Sequence, residues 1–268
     1  MKSNIVLVRG GGDIASGVVQ KLHRSGFRVL ILETKQPTSI RRTVCFSEAV
    51  YSGIKVLEDT VCILAENADE IYSAWEKDQV PIAVDPEGYY INILKPDVVV
   101  DSIIAKKNTG MSRNLAPVTV AVGPGFTAGI DVDAVIESNR GHNLGRIIFE
   151  GEAAPNTKTP GSIEGYTWER VIYSPCKGTF RTSHNIGDII KCGETVAIVD
   201  GKEVKAKIDG ILRGILRDNT YVTENFKVGD VDPRVDQLEN CFSISDKARA
   251  IGGGVLEAVM IFKRIKGI

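Results

Sequence analysis

The 268-residue sequence lacks long apolar runs, an excess of either charge, and cysteines at paired spacing. Its longest uninterrupted apolar stretches, such as residues 5–8, 29–32 and 98–100, are strand-sized, whereas a bilayer-spanning helix needs about 20 residues. No membrane association is expected. Residues 1–3 lead straight into an apolar strand and a glycine turn, with no signal-peptide core, which reads as a cytoplasmic protein. Lys and Arg total 33 against 34 Asp and Glu, a formal charge of −1. Such a balance removes the positive field on which non-specific nucleic-acid binding relies. The five cysteines (Cys45, Cys62, Cys176, Cys192, Cys241) are scattered and never form Cys-x-x-Cys, so neither a disulfide framework nor a zinc ribbon is expected. No histidine stands at ligand spacing from another His or Cys, and no metal site is expected. The phosphate loop, the nucleophile elbow and the His-Glu-x-x-His helix are also absent.

What is present is globular: 43% hydrophobic and 25% charged residues sit near the averages for folded domains. The first half alternates strand-length apolar runs with helix-period stretches, the pattern of a parallel sheet with crossover helices. Strands are expected at residues 5–8, 29–32, 54–57, 82–84, 98–101 and 118–122. Helices are expected from Asp13 to a C-cap at Gly26, and from a cap at Asp59 or Thr60 along the stripe Val61, Leu64, Ala65, Ala68, Ile71 and Trp75. Beyond about Gly145, helix periodicity gives way to short alternating segments punctuated by Gly and Asp-Gly turns. The expected architecture is α/β: a Rossmann-like doubly wound sheet over residues 1–148, then a smaller all-β, barrel-sandwich-like domain over 149–268 ending in a helix. Ser245 and Asp246 open that helix, and Gly252-Gly253-Gly254 inside it cost about 1 kcal/mol each relative to alanine. A glycine loop opening a shorter helix is the preferred reading.

The strongest motif is Arg9-Gly10-Gly11-Gly12-Asp13-Ile14-Ala15-Ser16-Gly17, which follows a strand and opens a helix. Gly10-x-Gly12-x-x-Ala15 matches the dinucleotide fingerprint, whose glycines admit a pyrophosphate to the helix start. Glu33 ends the next strand and is placed to accept from a ribose hydroxyl. Asp13 competes with an incoming phosphate and serves equally as a cap. Gly123-Pro124-Gly125-Phe126 follows a strand at the same sheet edge. Arg140, His142 and Arg146 lie in a following glycine-flanked loop whose guanidiniums suit a phosphate or carboxylate. Asp101, ending a strand, is a general-base or hydroxyl-binding candidate or a turn cap. The expected binding set is therefore Gly10, Gly11, Gly12, Asp13, Ser16, Gly17, Glu33, Asp101, Gly123, Gly125, Phe126, Arg140, His142 and Arg146. The hairpin at Lys202 lacks the methionines that flank a carrier lysine, so the second domain reads as a structural or docking module.

These motifs, together with Ile40-Arg41-Arg42, Glu48-Ala49-Val50-Tyr51, residues 228–234 and Ser245-Asp246-Lys247-Ala248, resemble the YqeB-type accessory proteins of selenium-dependent molybdenum hydroxylase systems over nearly the whole length. The resemblance implies a role in maturing a molybdenum hydroxylase, with the apoenzyme or other maturation proteins as partners, and it supplies no catalytic residue. Residues and resemblance agree on a dinucleotide-like or pterin-nucleotide ligand, which molybdopterin cytosine dinucleotide or a related nucleotide would satisfy. The alternatives are NAD, in an NAD-dependent oxidoreductase, and a non-enzymatic scaffold or docking module. Whether a bond is made or broken, and whether the protein is a homo-oligomer, the sequence leaves open.

Overall fold

Val6, Leu7 and Val8 are fully buried, because both faces of the strand they form are covered, as a central parallel strand requires. The computed structural model describes residues 4–157 and 159–268. The chain divides into two units, Met1–Pro37 with Cys45–Asn156 and Ile244–Ile268, and Thr38–Val44 with Thr157–Ser243. The boundary thus falls at residues 156 and 157 instead of 148 and 149, and the C-terminal helix joins the first unit.

In the first unit the elements run β1 (Ile5–Arg9), α1 (Asp13–Arg24), β2 (Arg28–Glu33), α2 (Ala49–Ser52), β3 (Ile54–Leu57), β4 (Thr60–Leu64), α3 (Ala68–Glu76), β5 (Val80–Val84), α4 (Tyr89–Leu94), β6 (Val98–Asp101), β7 (Val118–Val122), β8 (Thr127–Ala128), β9 (Ala134–Ile136), β10 (Ile147–Ile148) and β11 (Gly151–Glu152). A nine-stranded sheet has the order β10-β9-β7-β6-β1-β2-β5-β4-β3. Its interior pairs are parallel, and the edge pairs β3–β4 and β9–β10 are antiparallel.

This mixed sheet corrects the Rossmann-like, doubly wound expectation. A doubly wound fold needs a second βαβαβ half, but among the described residues no helix stands between β6 and β7 or between β7 and β9. The β7 side is covered instead by α5 (Asp246–Lys266), which arrives from the end of the chain and packs on α1, β7 and β9. Two local readings also change. Residues 60–64 form a strand, since Thr60, Val61 and Ile63 are β-branched, and helix α3 starts only at Ala68. There Asn67 accepts from the Glu70 amide at 3.0 Å and donates to its carboxylate at 2.8 Å, a reciprocal cap. The three glycines lie inside α5, which Ser245 caps and which runs unbroken. Gly252 is there because two backbones nearly touch: a Cβ on Gly17 would lie 2.6 Å from the Ala248 carbonyl oxygen, and one on Gly252 2.6 Å from that of Gly17, while Gly254 abuts the Gly145 carbonyl and Gly253 faces open space.

The second unit is all β apart from short 3-10 turns, with β12 (Val171–Tyr173), β13 (Gly178–Arg181), β14 (Ile189–Ile190), β15 (Thr195–Val199), β16 (Lys202–Lys205), β17 (Gly210–Ile215), β18 (Thr220–Val222) and β19 (Lys227–Asp232). Two four-stranded antiparallel sheets, β12-β19-β17-β14 and β16-β15-β13-β18, enclose Phe180, Val196, Leu212, Val222, Val228 and Val231. Residues 38–44 are inserted into it: Arg42 donates to the Ile215 carbonyl at 2.9 Å and Arg41 to that of Asn240 at 3.0 Å. The charged run 228–234 is mostly strand β19. Its buried Asp230 pairs with Arg170 at 3.2 Å and with Arg213, and its Asp232 pairs with Arg234 at 2.8 Å.

Candidate functional site

The parallel strands β1, β2, β6, β7 and β9 end on the same side of the first unit's sheet, which brings the loops after them together. Open parallel sheets place ligands at this carboxyl edge. Arg9, the last residue of β1, pairs with the buried Asp101 at the end of β6 at 3.0 Å and donates to the Thr109 carbonyl at 2.9 Å. Burial pushes the Asp101 carboxyl up, against the opposing pull of Arg9 and the Ile103 amide. This carboxylate is consumed by Arg9 and its own turn.

The glycine turn is closely packed. The Gly11 amide donates to Glu33 at 2.8 Å, and the other Glu33 oxygen accepts from Thr34 at 2.7 Å. Glu33 therefore braces the turn from the end of β2. Ser47 donates to the Gly11 carbonyl at 2.8 Å, and a Cβ on Gly11 would lie 3.0 Å from the Ser47 nitrogen. Ser16 is buried, accepting from the Phe46 amide at 2.9 Å and donating to the Gly12 carbonyl at 2.9 Å. Gly17 packs against α5, and Phe126 is a core residue at 1% exposure. Gly10, Gly11, Gly17 and Phe126 are thus engaged in packing, and Ser16 and Glu33 in hydrogen bonds within the unit. What the turn leaves is the start of α1: Gly12 is its N-cap and supplies no side-chain cap, and Asp13 occupies its first turn.

Two polar groups at this edge were not singled out by sequence reasoning. The Ser102 hydroxyl, one residue beyond β6 and 3% exposed, has no hydrogen-bond partner among the described residues. Ser102 donates its amide to the Arg9 carbonyl at 2.9 Å and abuts Gly10. Val99 packs with Ile71 and Ile91 on the α3/α4 face. The alternation of β6 therefore sends Val98, Val100 and then Ser102 toward α1 and α5.

The second group is Lys247, in the first turn of α5. Burial lowers the pKa of its ammonium and Arg140 adds to that effect, while Asp13, Glu137 and Asp246 oppose it. Arg140 holds Asp246 through two hydrogen bonds of 2.7 and 3.0 Å and brings its carboxyl down to about 2. Glu137, just beyond β9, accepts from the amides of Asn139 at 2.6 Å and Ala154 at 2.7 Å. Gly123 sits against Ser138 and Gly125 against the backbone of Lys107, so the glycine loop after β7 joins the same edge. The side chains of His142 and Arg146 are exposed, and the Arg146 backbone closes the loop by accepting from Glu137 at 2.9 Å. Sequence spacing could not have found Lys247, although its motif contributed to the resemblance. A separate concavity, lined by Ser112, Arg113, Asn114, Ile130, Asp133 and Lys266, lies at the amino ends of β7 and β9. There Asp133 accepts from Arg113 at 3.0 Å, Lys266 at 2.9 Å and the Thr119 amide at 2.9 Å.

Among the described residues no group of three His, Cys, Asp or Glu is placed to hold a metal, and no helix is long and apolar enough to cross a membrane.

The fold and the strand-end loops define a two-unit protein with an α/β part and an all-β part, whose polar cluster lies on the α/β part. No family model matches the chain. It is 48% identical over 257 residues to the uncharacterized protein YqeB of Escherichia coli (strain K12), an alignment covering 96% of this chain and 47% of that protein. The chain spans about half the length of that curated relative. Solved structures similar to it include an aspartoacylase family protein from Mesorhizobium loti (9% identity, 85% of this chain and 84% of that one, TM-score 0.27). Another is a succinylglutamate desuccinylase/aspartoacylase from Rhodobacter sphaeroides (18% identity, 85% and 84%, TM-score 0.27). At these TM-scores the likeness says nothing about ligand or activity.

Proposed function

We propose that this chain is an accessory protein in the maturation of a molybdenum hydroxylase and that it binds a molybdopterin dinucleotide-type cofactor at the carboxyl edge of the first unit's sheet. The role comes from the resemblance of the motifs. The binding site comes from their convergence, since the segments around Gly12, Gly123, Arg140 and Lys247 all reach one edge. The observation that carries the reading is the Ser102 hydroxyl: a buried hydroxyl without a partner is costly, by about 1–3 kcal/mol, and a ligand acceptor at the start of α1 would satisfy it. The residues present fit an anionic nucleotide on chemical grounds, offering an uncapped helix start, a hydroxyl donor and two cations. Glu33, with both oxygens on backbone amides, gives the NAD alternative no support.

Calorimetric titration with molybdopterin cytosine dinucleotide, with NADH and CTP as comparison ligands, tests the proposal. The expected result is selective binding of the pterin dinucleotide. It should be lost in Gly12→Arg and weakened in Ser102→Ala, with Ser102→Ala at least as heat-stable as the parent protein when ligand-free. Absence of binding in the parent protein, or a preference for NADH, overturns it.

A further inference from the structure

Resting on the reading that the strand-end site holds an anionic ligand, we propose that Lys247 is the cation that closes on that ligand's phosphate or equivalent oxyanion. Helices α1 and α5 pack with both amino ends at the strand-end edge: Gly17 faces Ala248 and Gly252, and the Lys21 side chain also meets Gly252. Their first turns, carrying Asp13 and Lys247, are thereby neighbours.

The Lys247 ammonium is withdrawn from full contact with water. Among the described residues it makes neither a hydrogen bond nor an ion pair. Four charged groups face it, Asp13 from α1, Glu137 from the loop after β9, Arg140 from the same loop and Asp246 from its own helix. Glu137 is committed to the amides of Asn139 and Ala154, and Asp246 to Arg140. A cation beside two helix amino ends also stands against their dipoles. An oxyanion relieves each of these penalties at once, because it accepts from the ammonium and the helix start together and reverses the local potential. The buried Ser102 hydroxyl, on the α1/α5 side of the same edge, is a further donor for it.

The proton linkage follows from the lowered pKa of the free lysine. Above that pKa the free amine loses its proton, while the ligand-bound amine, paired with an oxyanion, retains it. Affinity is then greatest below the free lysine's pKa. It falls by up to about tenfold per pH unit as pH rises from that value toward the pKa of the complex.

The test is isothermal titration of the whole protein with inorganic sulfate, an oxyanion that does not itself titrate in this range, at about pH 7 and about pH 9.5, in buffers of different ionisation enthalpy. The parent protein should bind more weakly at the higher pH, with uptake of up to one proton. Lys247→Gln, checked for its fold by circular dichroism, should bind roughly 10–100-fold more weakly without proton uptake. Lys247→Arg should bind near the parent level with neither proton uptake nor pH dependence in this range. Sulfate binding that is unchanged in Lys247→Gln, or absent altogether, overturns this assignment. The molybdopterin dinucleotide titration of the parent protein decides the functional reading separately, so Lys247 can fail while that reading stands.

Discussion

At the scale of single residues, the Arg9–Asp101 pair shows how the strand-end edge is held. Asp101 is 1% exposed, and burial works against its charge, so its guanidinium partner is what makes the ionised form tolerable. Breaking a buried pair by removing one partner costs about 3–5 kcal/mol, because the other charge is left uncompensated. Arg9→Met should destabilise the protein on that scale in denaturant titrations near neutral pH. The loss should shrink on acidification, since a protonated Asp101 no longer needs the partner. An Arg9→Met protein as stable as the parent would show that the carboxyl is already neutral at pH 7. The residue scale also divides the expected binding set by cause. Ser16 is held by hydrogen bonds to the Phe46 amide and the Gly12 carbonyl and Gly17 and Phe126 by packing, whereas Gly12, Asp13 and Arg140 remain at the edge where a ligand would lie.

At the scale of elements, the decisive contact is α1 against α5. Both helices lie over the sheet, and their backbones approach so closely at Gly17 and Gly252 that no side chain fits between them. Gly253 in the same helix faces open space and carries only the entropic cost of glycine in a helix. Gly252→Ala should therefore lower stability by about 1–3 kcal/mol through overpacking, whereas Gly253→Ala should raise it by about 0.5–1 kcal/mol. Thermal unfolding of the two variants checks both signs, and equal effects would refute the packing account. The misreading of residues 60–64 is instructive here. Val61, Leu64, Ala65 and Ala68 satisfy a helical stripe, yet Asn67 and Glu70 mark the true helix start, and that local cap was present in the sequence.

At the scale of the whole molecule, chain order and unit membership diverge. Residues 244–268 belong with residues near the start of the chain, and residues 38–44 belong with a unit built mainly from 157–243. Ending the chain after Ser243 removes α5 and uncovers the buried faces of α1, β7 and β9, while the cores of the two antiparallel sheets keep all their strands. Hydrogen exchange of such a shortened chain should show lost protection in β1, β6 and β7 and retained protection in β15 and β17. Uniform loss would mean that the second unit does not hold its structure independently.

By itself, the sequence determined what local physics can fix: strands β1, β2, β6 and β7 from their apolar runs, helix α1 from the glycine turn before it, the change to all-β texture past the middle, and the cap at Ser245. It also marked the glycine, arginine and Ser-Asp-Lys motifs as unusual. Tertiary structure alone decided that the sheet is mixed, that α5 supplies cover where a crossover helix was expected, and that Gly252 and Gly254 sit inside a helix. It alone brought Lys247 beside Asp13 and left Ser102 buried without a partner. Periodicity and capping act over a few residues, whereas these features arise from contacts between segments at opposite ends of the chain, which no local pattern encodes.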